Sequence, residues 1–309
     1  MLLLFAAVLP GLFWEGAPDT APALREAGIR QIVVPAACVQ DWKGVPEIAA
    51  TAGDIEGAVK LLPPKVNYRV DQASATRAPW LDANGWRIMR QPEGKFYYDA
   101  PGKQSALAAA EAFCYGGGAL IRTDADGLKP LAQMLEFLRA HNDDPMPAVA
   151  DIGFVDDGTP AAGEVMNLLV RSNLLFRIVS APDPKLKLNV KLGTKDYPME
   201  EAKNPTVLSH LVRSNLTDEK RTVRIYGSQV LVARLTGTNG HLRLQLLNYG
   251  APSRKVDGVR IRVLGRYQNH KLAVEGSPDE KLLDYTVEPN ATEFTLRELN
   301  TYAVIDLSR

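Results

Sequence analysis

The feature that most constrains this chain is a change of hydrophobic period near Leu216. Before it, short β-branched or apolar runs alternate with segments whose apolar residues recur at helical spacing. After it, polar and apolar residues alternate with a period of two, as in half-buried antiparallel strands. In the front part "LFWEG", "IRQIVVP", "GAVKLLP", "GWRIMRQ", "GALIRTD", "PAVADIG" and "LFRIVSA" read as strands. "DTAPALREAG", "QSALAAAEAFCYG", "LKPLAQMLEFLRAH" and "AGEVMNLLVRSN" read as helices, the first capped by Asp19 or Thr20 and closed by Gly28. Strands that alternate with helices pair in parallel through crossovers, which gives an α/β barrel or an open doubly wound sheet. A compact or degenerate TIM-type barrel is the expected form, followed by an all-β C-terminal sandwich built from runs such as "RTVRIYGSQVLVARL" and "VDGVRIRVLGRY". In the latter, Val259, Ile261 and Val263 share one face and Arg260 and Arg262 the other, which reads as a ligand groove or as a solvated outer face.

The expected segments are 12–150 for the barrel-like part, 151–218 for a linking α/β segment and 219–309 for the sandwich. Within the link, "LLVRSNL" at 168–174 returns as "HLVRSNL" at 210–216; both copies read as helix ends, with Asn173 or Asn215 as the left-handed cap. The run from Leu2 to Leu12 is shorter than the roughly 20 residues that span a bilayer but has the length of a signal-peptide core. No lysine or arginine precedes it and no small-x-small site follows, so residues 1–11 read either as a leader remnant, with a secreted or periplasmic location, or as the approach to a first strand. Lysine plus arginine equals aspartate plus glutamate at 36 each, so no net field recruits nucleic acid. No later segment could span a membrane, and the oligomeric state is open. Cys38 and Cys114 lie far apart in sequence and read as free thiols, or as one disulfide in an oxidising compartment. The four histidines lack metal-ligand spacing, and neither a metal nor a cofactor is expected.

The order of parts resembles multidomain glycoside hydrolases, in particular β-galactosidase-like enzymes with a TIM barrel, an amidotransferase-like middle segment and a terminal sandwich. The stretches that carry the resemblance are "FWEGAPDTAPALREAGI", "DANGWRIMRQPEGKFYYDAP", "PAVADIGFVDDGTPAAGEVMNLLVRSNLLFRIV", and "LRLQLLNYG" through "NTYAVIDL". The resemblance implies a carbohydrate ligand and hydrolysis by two carboxyl groups, one acid and one nucleophile or base, placed after barrel strands. The acidic pair of such enzymes has no aligned counterpart, so hydrolysis and a non-catalytic carbohydrate-binding or scaffold role on a degenerate barrel both stand.

Under that resemblance Glu15, Glu93 and Asp151 are the candidate catalytic carboxylates. Asp71 meets the same positional test loosely. Glu15 reads as a carboxylate at the barrel mouth or as one stabilised by the first helix N-terminus. Trp14, Trp80, Trp86 and Tyr98 offer rings that could stack on a sugar face, and Tyr97 adds another. Asp82, Arg87, Asp99 and Asp124 are the polar partners, Asp124 competing with a turn or helix-cap reading. The bland alternative for the aromatic stretch is a long loop and hairpin packed on the barrel rim.

Overall fold

Short runs such as Gln31–Val34 and Phe96–Asp99 combine β-branched or aromatic residues with alternating burial, and each forms a strand. The structure is a computed structural model describing residues 9–67, 79–143, 146–238 and 240–309; the leader-like residues 1–8 and Asp71 lie outside the described residues. The chain forms two compact units, 1–65 with 91–145, and 66–90 with 146–309.

The first unit contains β1 (Gly11–Leu12), α1 (Ala21–Ala27), β2 (Gln31–Val34), β3 (Ala49–Ala52) and β4 (Val59–Leu61). The chain then gives β5 (Lys65–Asn67), β6 (Trp80–Asp82) and α2 (Gly85–Arg90), and the first unit resumes with β7 (Phe96–Asp99), α3 (Gln104–Cys114), β8 (Leu120–Arg122) and α4 (Ala125–Ala140). Parallel pairing runs in the order β4-β7-β8-β1, and β2 pairs β3 in parallel. A parallel bridge between Phe13 and Val33 joins β1 to β2, with Trp14 N donating to Val33 O at 2.8 Å. The spatial order is therefore β4-β7-β8-β1-β2-β3, the chain order cut once between β3 and β4. Such cyclic succession is what a barrel has and a doubly wound sheet lacks. Among the described residues no pairing joins β3 to β4, so these pairings do not close the expected TIM-type barrel. Leu12, Ile121, Tyr98 and Leu61 form one buried row across the sheet, and Tyr98 OH donates to Glu111 of α3 at 2.9 Å. Cys114 on α3 is buried and Cys38 half-buried, and neither is joined in a disulfide.

The second unit continues with β9 (Ile152–Val155), α5 (Pro160–Arg171), β10 (Phe176–Val179), β11 (Leu188–Lys191), α6 (Met199–Ala202) and α7 (Pro205–Leu216). β9 is the centre of a parallel sheet, β10-β9-β11. Then follow β12 (Val223–Tyr226), β13 (Leu231–Thr238), β14 (His241–Asn248), β15 (Val256–Leu264), β16 (Asn269–Val274), β17 (Leu282–Val287), β18 (Ala291–Leu299) and β19 (Tyr302–Ser308). They make two four-stranded antiparallel sheets, β12-β15-β18-β17 and β13-β14-β19-β16. Val259, Ile261, Val263 and Phe294 of the first share one core with Leu244, Leu246 and Ile305 of the second. Arg260 and Arg262 pair with Glu293 on the opposite face, so the arginine row is an ion-paired outer surface.

Two local expectations change. "GWRIMRQ" is not a strand: its spacing of Trp86 and Ile88 mimics a two-residue period, yet the segment forms α2, with the Arg87 and Ile88 amides donating to Asn84 O. Tertiary packing decides, since the Trp86 ring sits where any Cβ on Gly163 would approach it to 2.9 Å, and Arg90 holds Asp156 with two bonds of 2.8 and 2.7 Å. The two "RSN" copies also differ. Asn173 adopts a left-handed conformation (φ 53°) after α5, whereas Asn215 stays inside α7 and donates to Tyr197 OH. Asn173 is buried, and its amide donates to Leu231 O at 2.9 Å and accepts from Ala233 N at 2.6 Å. It thereby satisfies two backbone groups on the outer side of β13, an edge strand whose other end is covered by the bridge between Ala148 and Thr236. Replacing Asn173 by Ala should cost about 2–4 kcal/mol, from two unpaired buried backbone groups and a left-handed Cβ. Asn173→Gly should cost less because glycine tolerates that backbone. Urea unfolding followed by the fluorescence of the tryptophans checks both values.

Candidate functional site

Side chains along a strand alternate faces, and in the first unit that alternation separates a packed face from an open one. Phe96 and Tyr98 are buried, so Tyr97 and Asp99 project from the other side of β7. Register places Lys60 beside Tyr97 and Arg122 beside Asp99. Glu15 follows β1, the next strand over, and joins the same face at its C-terminal edge.

The geometry centres on one guanidinium. Arg122 Nε donates to Asp99 Oδ1 at 2.5 Å and Nη1 to Glu15 Oε2 at 3.1 Å, so one fork bridges two carboxylates from different strand ends. Lys60 pairs with the second oxygen of Asp99 and lies 6.0 Å from the Tyr97 ring centroid. The hydrogen bond from Arg122, assisted by that from Lys60, holds the Asp99 carboxyl below its ordinary value, against an opposing push from burial. Two acids and two bases nearly cancel, while Glu15 and Lys60 remain more than half exposed. Such a surface offers acceptors and donors to a polyhydroxyl ligand without selecting for charge.

Trp14 is fixed by its indole N–H, which donates to Thr20 Oγ1 at 2.9 Å. Gly16 is required beside it, because a Cβ there would come within 2.5 Å of the indole nitrogen. Tyr98, expected as a stacking ring, instead faces the helix layer with its hydroxyl on Glu111, so its ring is unavailable to a ligand. Asp124 caps α4, accepting from Gly127 N at 2.9 Å and Gly102 N at 2.8 Å. Glu93 is exposed in the turn before β7. The four residues of that strand, roughly 13 Å, separate it from the edge where Asp99 lies.

The remaining expected residues belong to the second unit. Asp151 precedes β9, is 1% exposed, and accepts from Thr222 N at 2.8 Å and Thr222 Oγ1 at 2.5 Å while Lys187 pairs with it at 2.8 Å. This is the bonding of a structural latch, with its oxygens already occupied. Asp82 accepts from Asn67 at 2.8 Å. The Arg171 guanidinium lies 3.8 Å from the Trp80 ring centroid, and Arg87 and Arg90 lie 4.3 and 5.3 Å from that of Trp86. Of the expected residues, the structure thus brings Glu15 and Asp99 together. Sequence reasoning missed Arg122 and Lys60, although a charged residue ending the apolar run "GALIR" was a legible sign.

No known protein family and no curated protein matches this chain. Among solved structures it is similar to α-L-fucosidase isoenzyme 2 from Paenibacillus thiaminolyticus, with a TM-score of 0.54 and 9% identity over 85% of this chain and 68% of that one. A second is the β-galactosidase from Rahnella sp. R3, with a TM-score of 0.39 and 9% identity over 98% of this chain. The match spans 61% of that enzyme, under two thirds of its length. The first likeness shows a distant glycoside hydrolase-like fold and nothing finer.

Removing the bridging cation should release Asp99. In Arg122→Gln its carboxyl should titrate closer to the ordinary 3.8. Because a depressed carboxylate contributes stability above its unfolded value and loses it as pH falls through the folded one, wild type should exceed Arg122→Gln in stability near neutrality, and the gap should narrow below pH 3.8. Carboxyl-detected NMR titration and denaturant midpoints against pH measure both effects.

Proposed function

We propose that the chain binds a neutral carbohydrate at the C-terminal edge of the first unit's parallel sheet, where Tyr97 supplies a ring and Glu15, Asp99, Arg122 and Lys60 supply hydroxyl partners. The supporting observation is the Arg122 bridge, which ties both carboxylates to one cation and keeps Asp99 ionised. A general acid needs its proton retained near neutrality, and Arg122 works against that at Asp99. The edge is therefore suited to holding hydroxyls more than to protonating a leaving group. In this reading the cyclic strand order is a degenerate TIM-type barrel, residues 151–218 are an amidotransferase-like segment and 219–309 a β-sandwich, as in β-galactosidase-like enzymes. A secreted or periplasmic location accords with the leader-like run at the start of the sequence.

Glycoside hydrolysis is the second reading, favoured by the fold likeness to a fucosidase. It would use Glu15, half exposed beside Asp99, as acid and Asp99 as nucleophile, with neither Glu93 nor Asp151 engaged.

Calorimetry of the full chain with neutral mono- and oligosaccharides tests the first reading. Binding should weaken tenfold or more in Tyr97→Ala and Asp99→Asn, and a chromogenic glycoside panel should show no turnover. Turnover abolished by Glu15→Gln would replace binding with hydrolysis, and absence of both binding and turnover would remove the carbohydrate proposal.

A further inference from the structure

The hexapeptide "LVRSNL" occurs twice in the sequence, and its two copies with the residue before each meet in the second unit. "LLVRSNL" ends α5, "HLVRSNL" ends α7, and the two helices pack against each other. Matching positions of both copies line one cleft: the first residues, Leu168 and His210, and the fourth, Arg171 and Arg213. Residues three apart share a helix face, so each copy presents its arginine beside its first residue. The cleft has a volume of about 410 Å³, within the range of small-molecule sites, and Trp80 and Ile225 contribute apolar wall.

Its charge is one-sided. Arg171, Arg213 and Arg221 line it, and no acidic side chain does among the described lining residues. Asp218, outside the lining, is the carboxylate that answers Arg213 at 3.0 Å, Arg221 at 3.1 Å and Arg224 at 3.5 Å. Arg213 first and then Arg221 pull the Asp218 pKa down to about 2, so its charge is committed to them. Arg221 is 6% exposed and donates to the Ser172 and Asn173 carbonyls, while its Nε has no hydrogen-bond partner among the described groups. A buried guanidinium with an unsatisfied donor, among other cations sharing one carboxylate, favours an incoming anion. The volume exceeds what a lone ion fills, and arginine forks suit carboxylate and phosphate oxygens.

We propose that this cleft is a site for a small acidic sugar, one carrying a carboxylate or a phosphate on a pyranose-sized body. Its residues are distinct from those at the first unit's sheet edge, so the two assignments stand or fall separately.

Calorimetry of the full chain at low ionic strength, with glucuronate, glucose 6-phosphate and glucose as probes, tests it. At least one acidic sugar should bind at least tenfold more tightly than glucose, and which one binds identifies the anion. Arg213→Gln, at a half-exposed side chain, should reduce that affinity tenfold or more while the variant keeps the wild-type circular dichroism and a cooperative melt, as should Arg171→Gln. Tyr97→Ala should leave it intact. Failure of both acidic sugars to bind, equal binding of glucose, retained affinity in both arginine variants, or loss of affinity in Tyr97→Ala would overturn the assignment.

Discussion

The parallel pairing of Gly11–Leu12 with Leu120–Ile121 is the contact on which the first unit's chemistry depends. It sets the first strand beside the last, so the side chains leaving their C-terminal ends become neighbours although 107 residues separate Glu15 from Arg122. Without it Arg122 would still reach Asp99 on the adjacent β7 but would lose Glu15. Gly11 suits this place: a Cβ there would already touch Val33 at 3.4 Å, so β1 lies closely between two partners.

Much of the architecture was legible because hydrophobic period is a strong local signal. Runs such as "IRQIVVP" and "LFRIVSA" became strands, and the switch to two-residue alternation marks the antiparallel sheets. The errors arose where short segments satisfy two patterns. Six residues of "GWRIMR" alternate well enough for a strand, and only Gly163 and Asp156, more than sixty residues away, make them a helix. Likewise the copies of "RSN" are identical locally, yet Asn173 finds the edge of β13 and turns left-handed while Asn215 does not.

The site was less legible than the fold. Carboxylates and aromatics can be picked from a sequence, but their role depends on which face they leave by and on what already bonds them. Tyr97 and Tyr98 are the same residue type one position apart; strand alternation sends one outward and buries the other. Asp151 looked like a catalytic carboxylate and is saturated by Thr222 and Lys187, whereas Arg122, which organises the edge, gave only the weak sign of a charge ending an apolar run. In the second unit the echo of "LVRSNL" was conspicuous in sequence, but only the packing of α5 on α7 turns it into a paired set of arginines.

The cyclic strand order has a consequence for how the chain reaches its native state. β1 can meet β2 after a loop of about twenty residues, and β4, β7 and β8 are also near one another in sequence, but the β1–β8 seam requires closure of the longest loop. During vectorial synthesis the amino-terminal strand therefore waits with one bare flank until its distant neighbour leaves the ribosome. For that interval the nascent chain presents an open ladder to whatever lies nearby, which makes the seam the natural point of entry for chaperones or for mispairing.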